Sequence, residues 1–232
     1  MKPTDYQDNI DRILYAHTGK LPLAQRISFI ARKRVVSLFF DTMRPMPNSK
    51  VLDVGVSEEI SFEANMLEQV YPFRHNLVCA SITPGKNIVR AYPGVHHVQI
   101  EPNRRLPFAD KSFDISYSNA VLEHVGDRKK QAFFVSELCR VARSAFIVVP
   151  NRWFPLEHHT GIPMLHWLPQ PLFRSIIKHT TWHYWSKEEH LHYIGASAFH
   201  QMWPQHFTMQ TIYAGVGIAQ SKSNLVVYGS AE

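Results

Sequence analysis

Residues 50–61 read Lys-Val-Leu-Asp-Val-Gly-Val-Ser-Glu-Glu-Ile-Ser, so a short apolar run stops at Asp53 and Gly55. The aliphatic residues around Asp53 are typical of a strand that is covered on both faces, as in parallel sheets. Gly55 lets the backbone turn and lets a ligand approach closely, because a Cβ would intrude there. A helix that begins near Ser57 would direct its backbone N–H groups at that ligand. The stretch therefore predicts a site for a nucleotide-like ligand.

A second stretch with reactive side chains is residues 151–169, which combines aromatics, prolines and three histidines directly after a predicted strand. A neutral histidine, with an ordinary pKa of about 6.5, can accept a hydroxyl proton near neutral pH. His158 and His159 are the first candidates for such a general base. The alternative is that these side chains only tie an irregular segment to itself through hydrogen bonds.

The same stretch holds residue types that bind metal ions, namely Glu157, His158, His159 and His166. No pair of them has the helix spacing of known zinc motifs, and the prolines argue against a preformed cage. The two cysteines of the chain lie in apolar stretches and read as buried thiols. The sequence therefore predicts no metal site.

Hydrophobic patterning predicts alternating strands and helices, the arrangement of an α/β domain. Strands are predicted at 51–54, 76–82, 96–100, 113–117, 144–150, 207–219 and 224–229. Helices are predicted at 5–15, 24–43, 62–70, 129–143, 172–179 and 186–199. Ser186 and Glu189 suggest a capping box for the last of these helices.

Two motifs carry a family resemblance. Val-Leu-Asp-Val-Gly at 51–55 resembles the first motif of the class I S-adenosylmethionine-dependent methyltransferases, acidic-x-Gly-x-Gly-x-Gly, with Ser57 and Glu59 at the later glycine positions. Residues 106–125 begin Leu-Pro-Phe-Ala-Asp-Lys-Ser-Phe-Asp. They resemble the fourth-strand segment of the group, called type 11, that methylates small molecules and lipids.

The resemblance implies a Rossmann-like, doubly wound α/β sheet of seven strands, mostly parallel with an antiparallel C-terminal hairpin. It implies N-terminal helices over residues 1–48 that cover the sheet, and a methyltransferase-like domain over 49–232. Residues 151–205, here called the insertion segment, would then form a lid or wall over the substrate pocket.

The resemblance also implies S-adenosylmethionine as cofactor. The residues that would contact it are Asp53, Gly55, Ser57, Ser81, Glu101, Asn103 and Asn119. Two of the polar contacts that the family makes with the cofactor are altered in this chain. At the ribose, Ser81 replaces an acidic residue. Near the adenine, Pro102 replaces an aspartate, for which Glu101 could substitute.

The implied activity is transfer of a methyl group to a small or lipid- or sugar-linked acceptor, to oxygen in preference to nitrogen. His124 matches a histidine frequent in the group and joins His158 and His159 as a catalytic candidate. The aromatic residues Trp153, Phe154 and Trp167 would shape the acceptor pocket. The alternative is a non-catalytic or regulatory protein of the same fold that works through a protein partner.

The net charge of +6 is concentrated in the N-terminal fifth of the chain. Helix 24–43 carries basic residues beside Phe39 and Phe40, so it either covers the sheet or contacts an anionic membrane surface. A nucleic-acid partner is not expected, because no separate basic binding module is evident. No apolar run approaches the roughly 20 residues of a membrane span, and the polar N-terminus lacks a signal core, so a cytoplasmic location is expected.

Overall fold

The computed structural model of the protein describes residues 23–61, 64–157, 159–188 and 190–231. Its α-helices are α1 (Leu23–Met43), α2 (Met66–Val70), α3 (Lys86–Ala91), α4 (Arg128–Val141), α5 (Gln170–Ile177) and α6 (Ala196–Met202). Its strands are β1 (Val51–Val54), β2 (Leu77–Ser81), β3 (His96–Gln99), β4 (Phe113–Asn119), β5 (Ala142–Pro150), β6 (Gln210–Ala214) and β7 (Asn224–Ser230). The helix predicted at 5–15 lies outside the described residues.

The strands form one seven-stranded sheet in the order β3-β2-β1-β4-β5-β7-β6. Strands β1 to β5 pair in parallel, and β7 pairs antiparallel with both β5 and β6. The predicted fold class is therefore confirmed. The strand order reverses between β1 and β4, which is where ligands bind in doubly wound sheets.

Successive residues of each central strand enter two hydrophobic cores, one on either face of the sheet. Val51 belongs to the core beneath α1, α2 and α3, whereas Leu52 belongs to the core beneath α4 and α6. Both side chains are fully buried. Because both faces are covered, β2 and β5 contain continuous apolar runs. In contrast, β1 carries Asp53, and β4 alternates apolar residues with Asp114, Ser116 and Ser118.

Helix α1 packs on the sheet through its aromatic residues. The Phe39 ring lies 5.2 Å from the Tyr117 ring and 5.4 Å from the Phe146 ring, in edge-to-face geometry. Phe39 and Phe40 are both buried. Neither phenylalanine can therefore insert into a lipid surface, and only the basic residues of α1 still support the predicted membrane contact. No helix in the described ranges is long and apolar enough to span a bilayer.

The helix predicted to begin near Ser57 is wrong, since α2 begins only at Met66. The Asn65 side chain accepts the Ser57 N–H at 2.9 Å and donates to the carbonyls of Ser57 at 2.8 Å and Glu59 at 3.1 Å. A side chain that binds backbone groups in this way competes with helix formation. The chain after β1 is consequently an irregular loop.

The single helix predicted at 186–199 is also wrong. Ser186 ends a 3₁₀ turn, His183–Ser186, where its hydroxyl donates to the His183 carbonyl at 2.6 Å instead of capping a helix. The next α-helix is α6, which begins at Ala196. Glu189, the other half of the predicted capping box, lies outside the described residues.

Candidate active site

The crevice at the sheet's topological reversal is built by the loops that follow β1, β2, β3 and β4. It consists of two adjoining cavities, one with mostly polar walls and one with mostly apolar walls. We call these the polar cavity and the apolar cavity. Both are bordered by Gly55, Val56, Ser57 and Ala120, so they meet where β1 and β4 end.

The polar cavity has a volume of about 380 Å³. Its walls carry charged and hydrogen-bonding side chains, among them Arg32, Asp53, Glu68, Tyr117 and Asn119. Arg32 comes from α1, and the remaining four come from β1, α2 and β4. The N-terminal helix thus contributes a cation to a cavity whose other walls come from the sheet, α2 and the loop after β1.

The apolar cavity has a volume of about 500 Å³. Its apolar walls include Ile82, Ile100, Leu106, Val125, Phe133 and Phe134. Polar groups are present at its rim, where Ser81, Glu101 and Asn103 are exposed to the cavity. A flat, mostly apolar ring with polar groups at its edge suits such a space.

Gly55 controls the junction of the two cavities. Its φ angle of +106° belongs to the region that favours glycine. A Cβ placed on Gly55 would lie 2.1 Å from Cγ2 of Val121, closer than any van der Waals contact allows. The predicted need for glycine is therefore met, and its first neighbour is the Val121 side chain.

Two buried carboxyl groups adjoin each other in the polar cavity. Burial, and then the adjacent Glu68 carboxyl, raise the pKa of Asp53 well above its usual value. Burial also raises the pKa of Glu68, whose Oε1 accepts the Cys79 thiol at 3.3 Å. Two carboxyls this close together cannot both ionise at their ordinary pKa values, because their negative charges repel. A cation that bound beside them would lower these pKa values again.

The predicted ribose contact, Ser81, already has partners inside the protein. Its hydroxyl lies 2.9 Å from Thr83 Oγ1 and 2.9 Å from His97 Nε2. Glu101 is exposed and pairs loosely with Arg104 at 3.8 Å. Asn103 adopts a left-handed conformation, with φ +57°. These residues and Ser57 border the apolar cavity, and their contact with a cofactor stays a prediction.

The loop that begins with the Leu-Pro-Phe motif is fixed by a buried ion pair. Arg140 donates to Glu137 through Nε and Nη2, each at 2.7 Å, and to the carbonyls of Leu106 at 3.0 Å and Phe108 at 2.9 Å. Burial raises the pKa of Glu137, but the Arg140 guanidinium outweighs this and holds it below its usual range. The motif is therefore a wall of the apolar cavity locked to α4.

The insertion segment meets the turn after β4. His192 N–H donates to the Glu123 carbonyl at 2.8 Å, and Gln131 Nε2 donates to the His192 carbonyl at 3.2 Å. A small core of its own supports the segment, formed by Phe173, Ile177, Leu191 and Tyr193. This docking brings histidines from both regions together.

His124, one of the catalytic candidates, borders the apolar cavity. Its Nε2 lies 3.3 Å from Nε2 of His159, a second candidate, and burial lowers the pKa of His124. Trp185 lies beside both rings, with centroids 5.7 Å from His124 and 4.6 Å from His159. The structure thus joins two of the three predicted histidines, while His158 lies outside the described residues.

Glu157 anchors His159. Its Oε1 lies 2.8 Å from His159 Nδ1 and accepts the Tyr193 hydroxyl at 2.5 Å, while Oε2 accepts the N–H groups of His159 and Thr160. Burial raises the pKa of Glu157, but these hydrogen bonds lower it far below its usual range. Glu157 is therefore ionised, and His159 is held in one orientation.

The predicted acceptor-binding aromatics lie elsewhere in the insertion segment. Trp153 and Trp167 are partly exposed, at 55% and 37%, and their rings lie 6.5 Å apart. Neither they nor Phe154 border the polar or the apolar cavity. Their role in substrate binding stays a prediction.

Sequence reasoning missed Arg32, Glu68, Glu123 and Val121 as site residues. Arg32 read as part of a solvated basic face, and the other three read as ordinary helix or strand-end residues. The sequence shows that Glu123 directly precedes the candidate His124. It does not show that the Glu123 side chain is buried, at 1% exposure.

The seven-stranded order, the reversal point and the glycine after β1 together define the class I methyltransferase fold. Residues 52–148 match the model of the family described as "Methyltransferase domain". These residues run from β1 to β5 and include both motifs. This part of the chain therefore resembles a methyltransferase domain. No curated protein sequence matches the chain.

Solved structures with the same fold are distant in sequence. PH0226 from Pyrococcus horikoshii OT3 is 14% identical, with a TM-score of 0.58, covering 86% of this chain and 89% of its own. The N-methyltransferase NodS from Bradyrhizobium japonicum WM9, solved with S-adenosyl-L-homocysteine, is 13% identical, with a TM-score of 0.53 and 98% coverage of both chains.

A third structure holds two proteins. It is the complex between the Haloferax volcanii Trm112 methyltransferase activator and its partner, and one chain of it is 13% identical, with a TM-score of 0.53. The match covers 96% of this chain and 97% of that one. At these identities the likeness concerns the fold.

Proposed function

We propose that this protein binds S-adenosylmethionine and transfers its methyl group to an oxygen of a small, lipid-linked or sugar-linked acceptor. The observation that carries the proposal is the two-part crevice at the carboxyl ends of β1 and β4. One part is polar and charged, the other is apolar, and they meet at Gly55. S-adenosylmethionine is likewise an amino acid joined to an aromatic nucleoside.

The described residues fit that molecule. The Arg32 guanidinium suits its carboxylate, and the raised pKa of Asp53 marks a carboxyl that would ionise beside its ammonium group. Ile82, Ile100 and Leu106 suit the adenine ring. When bound, the group supplies a methyl carbon on a positively charged sulfur, which makes that carbon electrophilic.

Each polar residue of the crevice then has a positioning role. Gly55 lets the backbone approach the ligand, and Asn119 offers an amide to the amino-acid end. At the nucleoside end, Ser81, Glu101 and Asn103 offer hydroxyl, carboxylate and amide groups. Their task is to align donor and acceptor and to exclude water, since methyl transfer is an in-line displacement.

His124 is the best-placed general base. Burial lowers its pKa, so the ring is neutral near pH 7 and can accept a hydroxyl proton. A base beside the crevice favours a nucleophile that carries a proton, which supports an oxygen acceptor. His158 and His159 remain candidates for the same role, and Trp153, Phe154 and Trp167 for binding the acceptor.

The test is calorimetric titration of the full chain with S-adenosylmethionine and with S-adenosylhomocysteine. We expect micromolar binding that Gly55→Ala weakens at least 100-fold, about 2.7 kcal/mol, because the new Cβ meets Val121. Gly195→Ala is the matched control, since nothing lies within 4 Å of its added Cβ. An acceptor screen, with the methylated atom assigned by NMR, would then test oxygen against nitrogen.

A second candidate is a non-catalytic protein that acts through a partner. Three observations favour it: Ser57 stands at a glycine position, Ser81 is already bonded to His97, and Pro102 replaces an acidic residue. The solved complex of a methyltransferase activator gives a precedent for such pairing within the fold. Absence of binding by either adenosyl compound at millimolar concentration would favour this candidate over the enzyme.

A further inference from the structure

Three potential metal ligands lie together where the insertion segment meets the turn after β4. Glu123, His124 and His159 each offer one atom, and these atoms all lie within 4.8 Å of one another. His124 Nε2 is 3.3 Å from His159 Nε2 and 3.8 Å from Glu123 Oε1. Because His159 comes from a distant part of the chain, no motif spacing reveals the group.

Hydrogen bonds fix which ring nitrogens carry hydrogen. His124 Nδ1 lies 2.6 Å from the His190 carbonyl, which can only accept, so Nδ1 must donate. His159 Nδ1 lies 2.8 Å from Glu157 Oε1, and the Glu157 oxygens already accept hydrogen bonds from Tyr193 O–H and from the N–H groups of His159 and Thr160, so Nδ1 also donates. A neutral imidazole has one N–H. In the neutral rings each Nε2 therefore carries the lone pair, and the two Nε2 atoms lie 3.3 Å apart.

Two facing lone pairs need an electrophile between them, either a proton or a metal ion. Glu123 distinguishes the two choices. It is 1% exposed, and within the described part of the chain neither carboxylate oxygen has a hydrogen-bond partner. A buried carboxylate without a partner is costly. One proton between the histidines would leave Glu123 unsatisfied, whereas a divalent cation would bind all three groups.

The surroundings resemble the support of known metal sites. Metal-binding histidines donate their second N–H to a carboxylate or a backbone carbonyl. His159 donates to Glu157, which is itself held by Tyr193, and His124 donates to the carbonyl of His190. Both types of support are therefore in place.

We propose that Glu123, His124 and His159 bind one divalent transition-metal ion, with zinc as the first candidate. With zinc–nitrogen bonds of about 2.05 Å, tetrahedral ligand atoms lie about 3.3 Å apart. That is the separation of the two Nε2 atoms, and Glu123 Oε1 lies 3.8 Å from His124 Nε2, about 0.5 Å more than this separation. Two histidines and a glutamate leave a coordination position open, as in catalytic zinc sites.

The open position gives the ion a role in the proposed reaction. His124 borders the apolar cavity, so an acceptor hydroxyl could complete the coordination. A bound ion would lower the pKa of such a hydroxyl, so its proton would pass to water, and the oxygen would displace the thioether from the methyl carbon. His124, whose Nε2 would bind the ion, would then not be the base, and the ion would replace it in that role. This role rests on the proposed function, but metal binding does not.

The test is calorimetric titration of the full chain, first stripped with a chelator, with zinc chloride and without adenosyl compounds. We expect one site with a Kd below about 1 µM. Glu123→Gln, which preserves side-chain volume, should weaken it at least 100-fold, as should His159→Ala. Glu157→Gln should weaken it about 10- to 100-fold. His200→Ala, an exposed histidine outside the group, is the matched control and should change nothing.

Cobalt supplies a second measurement, since Co²⁺ in such a site gives visible absorption bands that Glu123→Gln should abolish. No saturable site for zinc, binding by Glu123→Gln equal to wild type, or equal loss in His200→Ala would each overturn the proposal. If His159→Ala fails to fold, the volume-preserving Glu123→Gln decides. S-adenosylhomocysteine binding without zinc binding would reject the metal site alone, and the reverse result would reject only the adenosyl site.

Discussion

Buried acids border both cavities, but the protein treats them differently. In the apolar cavity Glu137 accepts two hydrogen bonds from Arg140 and one from the Leu106 N–H, so its pKa is held low. In the polar cavity Asp53 and Glu68 adjoin each other, and burial raises both pKa values. Two acids that share a buried site thus have raised pKa values, whereas an acid beside an arginine has a lowered one.

The two arrangements suit different roles, one in stabilising the structure and one in binding a ligand. Glu137 has its charge neutralised by its own chain and serves to lock a cavity wall. In the Asp53 and Glu68 pair burial dominates instead, so a cationic ligand group would favour ionisation of a carboxyl there. Burial by itself does not predict either state, because the donors around each carboxyl decide it.

The largest expected effect comes from replacing Arg140, the cation that fixes the Leu-Pro-Phe loop to α4. Arg140→Met leaves Glu137 buried without its partner, and we expect the free energy of unfolding to fall by about 3–5 kcal/mol. Urea denaturation measures this change. Arg143→Met is the control, because that side chain is 65% exposed and lies 4.0 Å from Asp114, so a loss below about 1 kcal/mol is expected. Equal losses would contradict the comparison.

The next effect tests the polar cavity as a ligand site. Arg32→Met should weaken S-adenosylhomocysteine binding about 10- to 100-fold, because the ligand carboxylate loses a charged donor. Arg26→Met, from an exposed position of the same helix, should leave the affinity unchanged. Calorimetry gives both affinities. Unchanged binding in Arg32→Met would remove the polar cavity from the proposed site.

A third test uses pH. The folded-state pKa of Asp53 is above its ordinary value of 3.8, so between these two pKa values unfolding releases a proton. Its contribution to stability is therefore present below about pH 4 and is lost as pH rises, by up to about 1.4 kcal/mol per pH unit. The free energy of unfolding of the wild type minus that of Asp53→Asn, measured by urea denaturation from pH 4 to 8, should fall as pH rises.

Glu137 should give the opposite sign. Its pKa is lowered in the folded protein, so its contribution is complete above about pH 4.5 and is lost on acidification. The free energy of unfolding of the wild type minus that of Glu137→Gln should therefore rise with pH and then level off. If the differences for Asp53→Asn and Glu137→Gln changed with pH in the same direction, the contrast between the acids of the two cavities would be wrong.

The smallest expected effect is at the rim of the apolar cavity. Ser81→Asp should tighten S-adenosylhomocysteine binding by about 10-fold or less, because a carboxylate accepts ribose hydroxyls more strongly than a serine does. The gain is limited because His97 and Thr83 already bond this position. Ser112→Asp, an exposed serine remote from the crevice, is the control. No gain in Ser81→Asp would place the ribose elsewhere.

The sequence by itself determined the sheet and its ligand edge. The apolar run ending in Asp53 and Gly55 located β1, and the Leu-Pro-Phe motif located the loop before β4. These features are local, since strand burial and a glycine turn depend on neighbouring residues. The family model matches the same region, residues 52–148.

Only the tertiary structure decided which side chains meet. Asn65 reaches back eight residues to Ser57 and replaces the predicted helix with a loop. His159 joins His124 and Glu123 because the insertion segment docks on the turn after β4. Protonation states also depend on this assembly, because they follow from burial and from donors that are distant in the chain. Local pattern fixes where the crevice lies, and long-range packing fixes its chemistry.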